Sequence, residues 1–144
     1  MDERSRRVLI LDCDADSLIR LQHVLEDAGI DTTITWDKRE ACQLLENEPF
    51  DLVVIGDHPP ELDCAALLDD LSFRGMCPPV LILRKVVCQN DIEYFAWRGA
   101  IGVVSKGDLP TVLDQVAKAL DSVQFRAKPA RAGFPKKRSW RAAS

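Results

Sequence analysis

The chain has 144 residues, of which 47% are hydrophobic and 29% are charged, as expected for one soluble globular domain. No apolar run reaches the roughly 20 residues that a membrane span needs, and the amino terminus lacks the apolar core of a signal peptide. We therefore expect a cytoplasmic protein. The five cysteines are odd in number and separated from one another, which argues against a disulfide framework and against a cysteine metal site.

The net charge of −4 conceals two segments of opposite charge. Residues 124–144 contain seven basic side chains and no acidic one, which leaves 12 basic and 23 acidic residues, a charge of −11, in residues 1–123. This composition predicts one domain over 1–123, followed by a basic, disordered tail over 124–144. In the tail, Phe134 and Trp140 alternate with cations. It could contact nucleic acid or an anionic membrane surface, fold back on the acidic domain, or stay solvated.

Hydrophobic periodicity predicts five strand–helix units in chain order. The predicted strands are 7–11, 31–36, 50–56, 80–83 and 101–104. The predicted helices begin at a cap on Asp14 or Asp16, at Asp37, at Leu62, at a cap on Asn90 and at Leu109; they end near 28, 48, 71, 98 and 123. Regular alternation of strands and helices predicts an α/β fold, with a parallel sheet covered by helices on both faces.

The stretch from Phe50 to Pro60 is the centre of this arrangement. It is a continuous apolar run closed by Gly56, Asp57 and two prolines, which is typical of a buried parallel strand that ends in a loop. Functional groups in open α/β sheets lie beyond the carboxyl ends of the strands. The candidate site therefore comprises the residues that follow each strand.

Five sequence features occur together over residues 7–121: an acidic residue after the first strand, the run Phe50-Asp51-Leu52-Val53-Val54, Pro60, the run Pro79-Val80-Leu81-Ile82-Leu83, and Gly99-Ala100 followed by Lys106. In these features the chain resembles the receiver domain of bacterial two-component response regulators. The resemblance implies a flavodoxin-like, doubly wound, five-stranded parallel sheet of order 2-1-3-4-5 with five helices. It also implies a phosphoacceptor aspartate at the end of the third strand, served by Mg²⁺ and a lysine.

The residues that would carry this chemistry depart from the family pattern. The phosphoacceptor position falls on Gly56, which has no nucleophile. The acidic pair falls on Asp12 and Cys13, and a thiol is a poor ligand for Mg²⁺, although Asp14 could partly compensate. The lysine is retained as Lys106.

The switch positions are also altered. The Thr or Ser after the fourth strand falls on Arg84, the switch aromatic falls on Val103, and the proline after the lysine becomes Gly107. We hypothesise that Arg84 and Lys106 bind clustered carboxylates, namely those of Asp12, Asp14 and Asp57, in a metal-independent ion-pair network that locks one conformation. The alternative is that Arg84 points to solvent.

These substitutions favour a degenerate receiver domain that acts by protein–protein interaction without phosphorylation, without enzymatic activity and without a cofactor. One alternative is a phosphoacceptor response regulator in which a bulge at Gly56 brings Asp57 into the acceptor position, with Mg²⁺ and a histidine kinase. Another is a transcriptional regulator whose basic tail contacts DNA, although no DNA-reading domain is present in this sequence.

The fourth predicted helix carries the candidate interaction surface. Tyr94, Phe95 and Trp97 lie within one helix, and a single buried stripe requires one of them to be in the core. An exposed Tyr94 or Trp97 would mark a protein interface. The resemblance implies that the partner is a sensor kinase or another signalling protein, or a second copy docked through the fourth helix, fifth strand and fifth helix.

Overall fold

A computed structural model describes residues 6–59 and 61–133, with 122–133 described as helix backbone only. Strands and helices alternate along the chain in ten elements: β1 Arg7–Leu11, α1 Ala15–Asp27, β2 Asp31–Thr35, α2 Lys38–Asn47, β3 Leu52–Gly56, α3 Cys64–Phe73, β4 Val80–Arg84, α4 Gln89–Trp97, β5 Ala100–Ser105 and α5 Leu109–Gly133.

The five strands form one parallel sheet in the order β2-β1-β3-β4-β5. The predicted flavodoxin-like architecture is therefore confirmed. One hydrophobic layer contains side chains of α1 and α5, and the other contains side chains of α2, α3 and α4. All five residues of β3 are buried, as the continuous apolar run predicts for a central strand covered on both faces.

Side-chain caps fix where several helices begin. Asp14 and Asp37 cap α1 and α2, each accepting a hydrogen bond from a backbone N–H in the first turn. In α4 the predicted cap, Asn90, is wrong, because the cap residue is Cys88. The backbone N–H of Cys88 donates to the carboxylate of Asp91 at 3.0 Å. A side chain in the first turn of the helix therefore provides the hydrogen-bond acceptor for the cap residue.

Two further boundaries differ from the sequence prediction. Helix α3 begins at Cys64 rather than Leu62, because Leu62 pairs with His58 through two reciprocal backbone hydrogen bonds of 2.8 Å. Helix α5 continues to Gly133, beyond the end predicted near 123. Alanine and long-chain residues in this part favour a helix, whereas Pro129 within it does not. The predicted nucleic-acid contact at 134–144 lies outside the described residues.

Candidate functional site

The two faces of the sheet separate residues that are adjacent in sequence. In β3, Val53 and Ile55 enter the layer of α2, α3 and α4, whereas Leu52 and Val54 enter the layer of α1 and α5. Continued to the end of the strand, this alternation turns Asp57 towards α3 and α4, while position 56 faces α1 and α5. The register of β3 is continuous with β1 up to Ile55 and with β4 up to Gly56, with no shift along either strand pair, so β3 has no bulge there.

The first ion pair lies on the α1–α5 side. Asp12 follows β1, and Lys106 follows β5; the Lys106 Nζ lies 3.0 Å from Asp12 Oδ2 and 3.3 Å from Oδ1. The backbone N–H of Asp14 donates to Asp12 Oδ1 at 2.9 Å. The side chain of Asp12 is only 4% exposed and that of Lys106 only 9%, so solvent screens this pair weakly. It joins the carboxyl ends of β1 and β5 across β3 and β4.

The carboxylate of Asp12 lies directly over Gly56. A Cβ atom built on Gly56 would lie 2.1 Å from Asp12 Oδ2 and 2.5 Å from its Cγ, far inside van der Waals contact. The Asp12 side chain therefore fills the space that a side chain at position 56 would occupy.

The second ion pair lies on the opposite side of the sheet. Arg84 ends β4, and its Nε lies 3.1 Å from Asp57 Oδ2. The other carboxylate oxygen of Asp57 accepts the backbone N–H of Cys64, the first residue of α3, at 3.0 Å. The Asp57 side chain is only 5% exposed, so it depends on protein partners such as these in place of water.

Arg84 extends this pair to α4. Its Nη1 donates to Asp91 Oδ1 at 2.9 Å, and its guanidinium carbon lies 5.7 Å from the centre of the Phe95 ring. The second oxygen of Asp91 accepts the Cys88 backbone N–H and lies 3.3 Å from the Cys88 thiol. These hydrogen bonds, with the positive charge of Arg84, lower the pKa of Asp91. Arg84 thus connects the end of β3 to the first turn of α4.

Comparison with known proteins gives one curated relative. The chain is 26% identical over 116 residues to the alkaline phosphatase synthesis transcriptional regulatory protein PhoP of Bacillus subtilis, a match that covers 81% of this chain and 48% of the relative. The chain therefore spans about half the length of the curated relative it matches. No family model matches the chain.

Solved structures extend the likeness to the whole fold. The receiver domain of a Francisella response regulator superimposes with a TM-score of 0.75 at 25% identity, covering 82% of this chain and 98% of that one. The signal receiver domain of an HD domain-containing protein from Pseudomonas fluorescens gives a TM-score of 0.76 at 23% identity, covering 89% and 96%. This chain has the receiver fold. The family resemblance predicted from the sequence motifs is confirmed.

The ion pairs of this receiver fold differ from the single network hypothesised from the sequence. Arg84 binds carboxylates as expected, but its partners are Asp57 and Asp91, and Lys106 binds Asp12 on the other face. The prediction of one shared cluster is wrong, because strand alternation places Asp12 and Asp57 on opposite sides of the sheet. The sequence analysis missed Asp91; its position three residues after Cys88, in the first turn of α4, was the available signal.

The remaining pocket residues have local roles. Asp14 is directed towards its own helix, where it accepts hydrogen bonds from the Asp16 N–H at 3.2 Å and from the Ser17 hydroxyl at 2.9 Å; the Ser17 contact is the main reason that its pKa is lowered. Val103, which the sequence analysis assigns to the switch position, is partly buried against the α2–α3–α4 layer. Among the ion pairs that the described residues form, none joins Asp14 to Arg84 or Lys106.

The donor set of the pocket does not suit Mg²⁺, which prefers carboxylate and water oxygens in octahedral geometry. Asp12 is already neutralised by Lys106. Burial and the nearby charge of Asp12 raise the pKa of the Cys13 thiol, so its sulfur stays protonated at neutral pH. Within 6–59 and 61–133, no three His, Cys, Asp or Glu side chains are grouped so that they could hold a metal ion. The pocket therefore does not fit the ion that the resemblance implies.

One aromatic residue of α4 is buried and two are exposed, as expected for a helix with a single buried stripe. Phe95 is 2% exposed and packs in the core, whereas Tyr94 and Trp97 are 47% and 90% exposed. An open groove of about 720 Å³ lies along this side of α4, and the exposed Ile101 of β5 adds a further apolar side chain at the same edge of the sheet. None of the described helices is long and apolar enough to cross a membrane.

Proposed function

We propose that this receiver-like domain is a signalling or scaffolding module that acts by protein–protein contact without accepting a phosphoryl group. The observation that carries the proposal is the end of β3. Gly56 falls on the acceptor position and has no side-chain oxygen to phosphorylate, and β3 runs in continuous register with β1 up to Ile55 and with β4 up to Gly56. A module that accepts no phosphoryl group would act without enzymatic activity and without the Mg²⁺ that phosphorylation requires.

The condition of Asp57 supports the same proposal. As an acceptor, Asp57 would need a free oxygen, directed at a metal ion and at the incoming phosphoryl group. Both of its oxygens instead have protein partners, Arg84 and the Cys64 N–H, and it lies on the side of the sheet opposite Lys106. Phosphorylation of Asp57 would have to break a buried ion pair, and it would lack the lysine that stabilises the product in receivers.

The two ion pairs also account for a fixed conformation. In receivers the residue at position 84 is the switch that responds to phosphorylation. Here its guanidinium holds Asp57 and Asp91 together, so the start of α4 is tied to the sheet without an external signal. The exposed Tyr94, Trp97 and Ile101 would then form a permanently presented surface for a protein partner, either a sensor kinase, another signalling protein or a second copy.

An amide NMR titration tests this proposal. The chain is titrated with Mg²⁺ alone and with Mg²⁺ plus beryllofluoride, which mimics an aspartyl phosphate. We expect no saturable shifts at the ends of β3, β4 and β5. Saturable shifts at Asp57, Arg84 and Lys106 that disappear in an Asp57→Asn variant would overturn the proposal and identify Asp57 as the acceptor.

A further inference from the structure

The backbone at Gly56 does not require glycine. Among the described residues, the glycines with positive φ are Gly29, Gly75 and Gly99, and Gly56 is not one of them. Gly56 lies at the end of a regular strand, in a conformation that any L-residue can adopt. A glycine in a strand weakens it, because glycine loses more conformational entropy on folding and contributes no packing. The reason for glycine at this position must therefore be the space around it.

That space is filled by Asp12, which cannot easily withdraw. The 2.1 Å distance between its Oδ2 and a Cβ on residue 56 is impossible for real atoms. The Asp12 carboxylate is short and buried, and it is held by the Lys106 ammonium at 3.0 Å and the Asp14 N–H at 2.9 Å. Moving it aside would break these contacts and leave Lys106, itself 9% exposed, without a counter-charge.

We propose that Asp12 is the built-in anion of this pocket. Its carboxylate, supplied by β1, occupies the place above Gly56 where a receiver carries the acceptor carboxylate of β3, and it satisfies Lys106 permanently. The ion pair between Asp12 and Lys106 thus needs neither a phosphoryl group nor a metal ion. This inference rests on the proposed function. It explains why the pocket would not respond to a phosphoryl group: the Asp12 carboxylate already occupies the space above Gly56.

A double-mutant cycle tests the inference, using the urea midpoints of Gly56→Ala, Asp12→Ala and the chain with both changes. With Asp12 present, alanine at 56 displaces the carboxylate, and we expect a lower midpoint. Without the carboxylate, the same alanine stabilises the strand, and we expect a higher midpoint. A change of the same sign and size in both backgrounds would overturn the proposal.

Gly102→Ala is the matched control. Gly102 also lies within a strand, without a positive φ, and the nearest atom to a Cβ there is the Cδ1 of Leu81, at 3.2 Å. Its effect should be the same with and without Asp12, because it does not touch the carboxylate. If Gly102→Ala also reverses sign, the reversal at position 56 reflects general destabilisation and the proposal is overturned.

Small carboxylates give a second, independent measurement. In Asp12→Ala, the Lys106 ammonium faces an empty space of carboxylate size, so added acetate or formate should raise the urea midpoint of this variant above any rise in the unaltered chain. Equal rises would overturn the proposal. If Asp12→Ala does not fold, Gly56→Ala is tested by itself. The NMR signals of the Lys106 side chain should shift in this variant, and unchanged signals would contradict the inference. These readouts are independent of beryllofluoride binding, so either proposal can fail without the other.

Discussion

Replacing Arg84 with alanine would remove the cation that connects the end of β3 to the start of α4. In the unaltered chain this guanidinium lies 3.1 Å from a carboxylate oxygen of Asp57 and 2.9 Å from one of Asp91. After the change, the buried Asp57 carboxylate keeps its contacts with Cys64 but loses its cationic partner. We therefore expect a substantial loss of stability and a looser first turn of α4.

The magnitude follows from how deeply each group is buried. Removing one member of a fully buried pair costs about 3–5 kcal/mol, whereas surface pairs contribute about 0–1 kcal/mol. The side chain of Asp57 is 5% exposed and that of Asp91 is 16% exposed, but Arg84 is 30% exposed and partly screened. Between these limits we expect Arg84→Ala to lower the free energy of unfolding by about 2–3 kcal/mol.

Urea denaturation followed by circular dichroism measures this loss, with Arg74→Ala as the control. Arg74 also bridges two carboxylates, those of Glu46 and Asp70, but all three side chains are about 40% exposed, so its removal should cost much less than the removal of Arg84. Adding Asp57→Asn to Arg84→Ala should recover part of the loss, because the buried group is then neutral. The reasoning fails if Arg84→Ala costs no more than Arg74→Ala.

Two further predictions concern surface groups. The hydrogen bond and charge of Asp91 raise the pKa of the Cys88 thiol, so Asp91→Asn should lower that pKa and increase the rate of Cys88 alkylation at neutral pH. The exposed Cys77 is the internal reference, and an unchanged ratio of the two alkylation rates would contradict the prediction. If the partner is a second copy, Trp97→Ala should weaken self-association in sedimentation experiments while changing the free energy of unfolding by less than about 0.5 kcal/mol, and Ile19→Ala, also exposed, should change neither. Undiminished association of the Trp97 variant would exclude this face as the dimer interface.

The element order was predictable because each element has a local signal. Buried parallel strands require continuous apolar runs, and amphipathic helices require apolar residues three and four positions apart, so alternation of the two patterns identifies a parallel sheet covered on both faces. The resemblance added the strand order. Boundaries were less predictable where non-local contacts decide them: the pairing of His58 with Leu62 delays the start of α3, and Asp91 allows a cysteine to cap α4.

The sequence by itself determined that position 56 carries no side-chain nucleophile, since that depends only on the identity of Gly56. It also placed Asp12, Arg84 and Lys106 at the carboxyl edge of the sheet, because parallel strands all end there. Only the tertiary structure decided which charges meet. Asp12 reaches over Gly56 to Lys106, and Arg84 pairs with Asp57 and Asp91, because ion pairs form only over a few ångströms. The face of the sheet that each side chain occupies, and the path of each loop, determine those distances.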